Sequence, residues 1–350
     1  MTSNLTPLLQ LNLFIHMGLD YVASDSSINP YLRKLGYKIK YISYPIPLKT
    51  EMYRKLTSTL RKNVNKTVVP EIIYENEDNG ELLLLECKVT GFTSSLEYHG
   101  AQQAMGYLSL SPAYLDGYFG LRSNHPAARL LYAVDNNDKY ELGETLNQLS
   151  QNVSKVLGKA MSHEIYGMSL TEDGAFIYTD SETAAIRIAD GSVTNNVVVL
   201  YLVPVDPEMN LTDRFGREVL EQQVRSAVIS KVGRLLGVKS FEFTSTDICK
   251  DIIPVWDVWA PKSRKSVRRL VRTFITTIQG ELAKKGLTIE YIDNKFIVPK
   301  VDYKVAERIR AYFKSSDIEG VGQEAFDQIN RYEQLEMDEF LDEEEIGKDT

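Results

Sequence analysis

Glu81-Leu82-Leu83-Leu84-Leu85-Glu86-Cys87-Lys88 decides how the rest of the chain is read. Four leucines in a row leave no polar alternation, so the segment reads as a strand covered on both faces. Side chains two apart on a strand share a face. Glu86 and Lys88 therefore project together from the end of a core strand, where charge is costly unless it is paired or meets a metal.

Upstream, Val68–Tyr74 reads as a strand and Asn76–Gly80 (NEDNG) as a polar turn leading into the leucine strand. Two short strands across a glycine-containing turn form a hairpin. Closing it brings Glu71 toward Glu86, so that two carboxylates and the Lys88 ammonium converge. Oxygen donors of this kind suit Mg²⁺ or Mn²⁺, which take a couple of carboxylates and keep several waters. A metal there would polarise a phosphoryl oxygen and acidify water, with Lys88 orienting or deprotonating the attacking water. Downstream, Thr93, Ser94 and Ser95 offer N-caps for a helix over Leu96–Leu108.

At this point the residues resemble the PD-(D/E)XK phosphodiesterases. Pro70-Glu71, fourteen residues, then Glu86-Cys87-Lys88 looks like their signature, and Gln103-Ala-Met-Gly-Tyr107 matches the QxxxY motif of the RecB-like branch. The resemblance implies a metal held by Glu71, Glu86 and the Cys87 carbonyl, with Lys88 as the catalytic lysine. Gln103 and Tyr107, one helical turn apart, would contact the site's water network or DNA, and Glu51 would match an extra helical carboxylate. It implies an α/β, restriction-endonuclease-like mixed sheet flanked by helices. The match covers about residues 50–110 and departs from pattern at Glu71, where aspartate is usual. Other D-x-K triplets, Asp293-Asn294-Lys295 and Asp302-Tyr303-Lys304, lack the buried strand, the upstream acid and the QxxxY helix.

The remaining segments alternate as α/β chains do. Strands are expected at Arg129–Asp135, Ala175–Thr179, Ala184–Ile188 and Val197–Val205, and helices at Thr50–Asn63, Leu142–Tyr166 and Asp213–Leu236. A basic helix, Arg264–Lys285, precedes a hairpin within Thr288–Pro299 around Asp293-Asn294 and a helix over Val301–Lys314. That arrangement loosely resembles a winged helix and fits a general α+β module as well. The division expected is a nuclease-like domain at 1–190, an α+β module at 191–332 and an acidic tail at 333–350.

The net charge of −8 is concentrated: residues 333–350 carry nine acids and one lysine, so the other 332 residues sum to zero. Residues 26–70 hold ten Lys/Arg and one acid, Glu51, and a second basic cluster spans Lys262 to Arg272. Such blocks suit a phosphate backbone, with Arg54, Lys55, Arg61, Lys62 and Lys66 on one side and Arg264, Lys265, Arg268, Arg269 and Arg272 on the other. DNA is the expected partner and RNA an alternative. In the tail, Gln334, Met337, Phe340 and Leu341 fit a motif resembling the one by which replication proteins dock onto a sliding clamp. A solvated tail that mimics DNA fits the same residues.

Two cysteines exclude a disulfide framework, and there is no Cys/His zinc spacing. The start of the chain lacks a charged signal-peptide opening, and the longest apolar run, Val197–Val205, is too short to span a membrane. A cytoplasmic protein without membrane partners is expected. His16, His99, His125 and His163 lack metal spacing; His99, four residues before Gln103, shares its helix face. No phosphate-loop, dinucleotide or nucleophile-elbow motif occurs, so an ATPase or helicase function would come from a partner. The leading expectation is a metal-dependent nuclease in DNA repair or anti-phage defence. A catalytically inactive DNA-binding or regulatory subunit, or an interaction protein without nucleic acid, also fits; homo-oligomerisation is left open.

Overall fold

A computed structural model describes residues 5–20, 27–60, 64–121, 124–180, 182–194, 200–203 and 214–315. In chain order the elements are α1 (Pro7–Gly18), α2 (Tyr31–Lys34), β1 (Tyr37–Ile42), β2 (Ile46–Pro47), α3 (Thr50–Leu60), β3 (Thr67–Val68), β4 (Ile72–Asn76), β5 (Leu82–Cys87), α4 (His99–Ser109), α5 (Pro112–Phe119), β6 (Ala128–Asp135), α6 (Lys139–Leu157), β7 (Ser162–Thr171), β8 (Gly174–Tyr178), β9 (Ile186–Asp190), α7 (Gly191–Thr194), α8 (Arg214–Leu235), β10 (Phe241–Phe243), α9 (Ser245–Ile252), α10 (Pro261–Lys284), β11 (Glu290–Ile292), β12 (Lys295–Val298) and α11 (Tyr303–Ser315). The chain divides into two compact units, residues 1–217 with 249–269 and residues 218–248 with 270–350. No described helix is long and apolar enough to cross a membrane.

The first unit is built on a mixed seven-stranded sheet in the order β1-β4-β5-β6-β7-β8-β9. The steps from β5 to β6 and from β6 to β7 are parallel and the others antiparallel. Parallel neighbours require a crossover, and α4 with α5, then α6, supply them. The leucine strand lies between β4 and β6, and all six of its residues are buried. Leu82 and Leu84 enter the core that also contains Met105 and Leu108 of α4 and Leu142, Leu146 and Leu149 of α6. Leu83 pairs with Tyr74 on the other face, where the Tyr74 hydroxyl donates to Phe14 O of α1 at 2.7 Å. Each fully buried leucine contributes about 1.5–3 kcal/mol, so this strand alone anchors both layers.

Helix α1 is not among the elements expected from the sequence. It is apolar almost all round and buried from Leu8 to Gly18, as an inner helix must be. Its polar residues are held by a segment far along the chain. Asn12 Nδ2 donates to Val203 O at 2.8 Å and Asn12 Oδ1 accepts from Val203 N at 2.7 Å. His16 Nε2 lies 3.0 Å from Leu200 O; a carbonyl can only accept, which fixes Nε2 as the protonated nitrogen. Burial lowers the His16 pKa to about 4, against a smaller upward pull from that hydrogen bond.

Several boundaries differ from expectation. The helix expected over Leu142–Tyr166 starts at Lys139 and stops at Leu157, because Gly158 takes the left-handed conformation (φ 84°) and closes the end through a 2.8 Å bond to Ser154 O. Residues 162–166 belong instead to β7. The strand expected over Val68–Tyr74 is split into β3 and β4 around Pro70, which has no N–H to give a ladder. The helix expected from Leu96 begins at His99. Of the strand expected over Val197–Val205, residues 200–203 are not strand, being tied to α1, and the rest lie outside the described residues.

The second unit holds the sheet β10-β12-β11. Its hairpin turns at Asp293 and Asn294, both with positive φ (50° and 64°), the conformation that two-residue hairpin loops demand. Phe243 stacks on Phe296 with centroids 5.3 Å apart. Arg225 grips Glu281 with both terminal nitrogens, at 3.2 and 2.6 Å, and Tyr312 donates to the same carboxylate at 2.8 Å.

Candidate active site at the end of the leucine strand

The hairpin closes as the sequence predicts. Ile72 pairs with Leu85, and Glu71 N donates to Leu85 O at 2.9 Å, so the register carries Glu71 opposite Glu86. Lys88 is pinned at its backbone from two sides. Its N–H donates to Ala133 O of β6 at 2.8 Å, and its carbonyl accepts from Gln10 Nε2 of α1 at 3.0 Å.

The side chains close into a ring. Lys88 Nζ donates to Glu86 Oε1 at 2.6 Å and to Gln103 Oε1 at 3.1 Å. Gln103 Nε2 approaches the Tyr107 hydroxyl at 3.4 Å, and that hydroxyl donates to Glu86 Oε2 at 2.6 Å. The sense of the ring is fixed by chemistry. An ammonium only donates and a carboxylate only accepts, so Gln103 must turn its oxygen to Lys88 and its amide nitrogen to Tyr107. Glu86 is 2% exposed, and the donors on both of its oxygens offset the cost of that burial. Gln103 and Tyr107 can serve together because residues four apart on a helix share a face.

The electrostatics follow the packing. Burial pulls the Lys88 pKa down, but Glu86 and then Glu71 outweigh it and the net shift is upward. Burial, followed by the field of Glu86, raises the Tyr107 hydroxyl well above its usual range. The Cys87 thiol is raised by burial and then by Glu71, to which it is hydrogen-bonded.

Two participants escaped the sequence reading. Gln10 comes from α1 and holds the Lys88 carbonyl; its signal was a glutamine inside an apolar run. Tyr132 of β6 stands beside Glu86 in the parallel register and is fully buried. Its hydroxyl has no hydrogen-bond partner among the described residues, and its pKa is raised by burial, then by Glu86 and Glu71.

An orphaned hydroxyl beside two carboxylates is a place where a further polar group belongs. The donor set fits Mg²⁺ or Mn²⁺ in kind, since such ions take one or two carboxylates and fill the remaining positions with water or phosphate. Among the described residues no cluster of three or more His, Cys, Asp and Glu forms an all-protein cage.

Other predicted residues lie elsewhere. Glu51 is exposed on α3 and lines a cavity with Ala128 and His163 at the other end of the parallel strands. His99 is exposed and contacts Asn65 at 3.3 Å. In the first basic block, Arg33 pairs with Asp20 and Glu77, and Lys40 with Glu75, so part of its charge is neutralised locally. Arg54, Lys55 and Lys66 are exposed, with Lys66 Nζ 5.4 Å from the Tyr53 ring centre. On α10, Lys265, Arg268 and Arg269 are exposed while Arg264 and Arg272 are half-buried, and Arg272 reaches the Tyr291 hydroxyl at 3.5 Å. Arg61, Lys62 and the tail residues Gln334, Met337, Phe340 and Leu341 lie outside the described residues.

No protein-family model and no curated protein matches the chain. Among solved structures it is similar to the C-terminal domain of a trehalose synthase regulatory protein from Candida albicans, at 14% identity over 71% of this chain and 66% of that one. With a TM-score of 0.13, that likeness carries no argument about fold or activity.

Proposed function

We propose that the chain is a metal-dependent nuclease that hydrolyses phosphodiester bonds in DNA, with a restriction-endonuclease-like core in its first unit. One observation carries the reading: two motifs fifteen residues apart, Glu86-Cys87-Lys88 at the end of β5 and Gln103-x-x-x-Tyr107 on α4, meet in a single ring of hydrogen bonds. Chance matches to short patterns would have no reason to converge.

Glu71, Glu86 and the Cys87 carbonyl would hold Mg²⁺ or Mn²⁺, which supplies positive charge beside the phosphoryl group and acidifies water. The protein's own groups do the positioning. Lys88 Nζ keeps its protons on Glu86 and Gln103 and presents an ammonium to a phosphate oxygen. Tyr107 holds Glu86 in one rotamer, and Gln10 fixes the strand end from which Lys88 projects. The exposed Arg54, Lys55 and Lys66 extend a basic surface for the nucleic-acid backbone. Repair or defence against foreign DNA is the setting such chemistry serves, with a clamp or an ATPase as the partner that delivers substrate.

A second reading, an inactive DNA-binding subunit, is favoured by the engagement of both Glu86 oxygens by Lys88 and Tyr107. Incubating purified protein with single- and double-stranded DNA and RNA in Mg²⁺ or Mn²⁺ separates the two. Cleavage of one of these substrates, abolished by chelator, is expected. Salt-dependent DNA binding without cleavage of any substrate would favour the binding subunit.

A further inference from the structure

The cavity lined by Glu51 opens at the opposite end of the same parallel strands. It measures about 650 Å³ and is lined from α3, the α4–α5 junction, α6 and the starts of β6 and β7, at Ala128 and His163. Ala128 lies four residues before Tyr132, the neighbour of Glu86. At about 3.3 Å per residue that is roughly 13 Å along the strand, so the cavity is separate from the Glu86 ring. Its size falls within the range of small-molecule sites, about 300–1,000 Å³.

Its charge is predominantly positive. Lys49, Lys55 and Lys159 line it, against one carboxylate, Glu51. Some cations elsewhere in the chain are paired, as in Lys40–Glu75, Lys88–Glu86 and Lys139–Asp180. Among the described residues these three lysines make no ion pair, and Lys49 instead lies 5.0 Å from the Tyr114 ring centre. The wall also offers the Asn147 amide and the Ser150 hydroxyl. Ser109, Ser111, Ser162 and His163 add further polar groups, and Met52, Leu110, Pro112, Leu157 and Met161 supply apolar surface. Ammonium groups without an ion pair and apolar side chains lining one cavity match a molecule that carries both a phosphate and a ring system.

We propose that this cavity binds a nucleotide-sized phosphate monoester, with Lys55 and Lys159 on the phosphate and the apolar side chains against the base. The phosphate could belong to a free nucleotide or to the 5′ end of a short strand, and the test distinguishes them. Binding of AMP, GMP, CMP, UMP and adenosine to the full chain is measured by calorimetry, together with a dinucleotide carrying either a 5′-phosphate or a 5′-hydroxyl.

At least one nucleotide is expected to bind about tenfold or more tightly than its nucleoside, the value of one charge-assisted contact. Lys159→Gln is expected to remove that advantage. Ala160→Trp, which fills the cavity, should abolish binding with an unchanged melting temperature, and Glu86→Gln should leave binding as it is. A phosphorylated dinucleotide bound more tightly than every mononucleotide assigns the phosphate to a strand end; the reverse order assigns it to a free nucleotide. Absence of binding by all phosphorylated probes at millimolar concentration overturns the proposal, as does equal binding by the Lys159→Gln protein. Neither result depends on whether the chain cleaves nucleic acid.

Discussion

At the carboxyl end of β5, Glu86 is buried and both its oxygens are bonded, to Lys88 and Tyr107, each at 2.6 Å. At the amino ends of the neighbouring strands, Lys49, Lys55 and Lys159 face a cavity and solvent without an ion pair among the described residues. The two regions are separated by about 13 Å of one sheet. The difference reflects what water permits. A carboxylate cut off from solvent must be fully partnered or the fold pays for it, whereas a solvent-facing ammonium can remain uncommitted until a ligand arrives. Substitutions at the first end should therefore cost stability and function together, and at the second end function alone.

The sharpest way to break that contrast is to truncate one charge at each end. Glu86→Ala leaves the Lys88 ammonium and the Tyr107 hydroxyl without their acceptor and should destabilise by about 3–5 kcal/mol in urea denaturation. Lys159→Ala should stay within about 0.5 kcal/mol of the parent. Similar losses at both positions would show that the distinction between committed and uncommitted charge is wrong.

A second test asks whether the same rule governs a buried polar group away from the ring. His16 has a folded pKa of about 4 against 6.5 unperturbed, so the unfolded chain binds the extra proton between those values. Stability from this group is complete above pH 6.5 and is lost as pH falls toward 4, by about 3 kcal/mol at about 1.4 kcal/mol per pH unit. Urea midpoints measured from pH 7 to pH 4 should fall accordingly. His16→Gln should flatten the part of that slope between pH 6.5 and 5; an unchanged slope would contradict the assignment.

The smallest effect expected concerns the helix that carries Gln103 and Tyr107. A Cβ built on Gly106 would lie 2.6 Å from Val68 Cγ1 of β3, so Gly106→Ala should push α4 outward at a cost of about 1–3 kcal/mol. The bonds from α4 to the strand end, Gln103 to Lys88 at 3.1 Å and Tyr107 to Glu86 at 2.6 Å, are the parts of the ring that such a shift would stretch. A variant as stable as the parent would show that α4 tolerates displacement.

What could be read from the sequence was local. The leucine run, the alternation that puts Glu86 and Lys88 on one face, and the i, i+4 spacing of Gln103 and Tyr107 are short-range patterns and were legible, whereas the bonds of Gln103 to Lys88 and of Tyr107 to Glu86 were not. The Asp293-Asn294 hairpin was legible for the same reason. Contributions from distant segments were not. Gln10, Asn12 and His16 look misplaced in an apolar run until residues 200–203 and the Lys88 carbonyl are brought to them. Tyr132 reaches Glu86 only through the parallel register of β5 and β6. The cavity lysines lie on separate segments, before α3, within α3 and after α6, with no shared period. The overrun of α6 had a visible stop signal in Gly158, which the continuing apolar pattern outweighed.

The proposed function requires that Glu86 and Lys88 form a hydrolytic centre rather than a structural ion pair. It is tested most directly by the rate of metal-supported DNA cleavage in Glu86→Gln and Lys88→Ala proteins whose folding is verified by melting temperature. Cleavage by the parent chain in Mg²⁺ or Mn²⁺ is expected, with a fall of at least about 10²-fold in each variant, the scale of lost electrostatic stabilisation. Cleavage at the parental rate by either folded variant would contradict it.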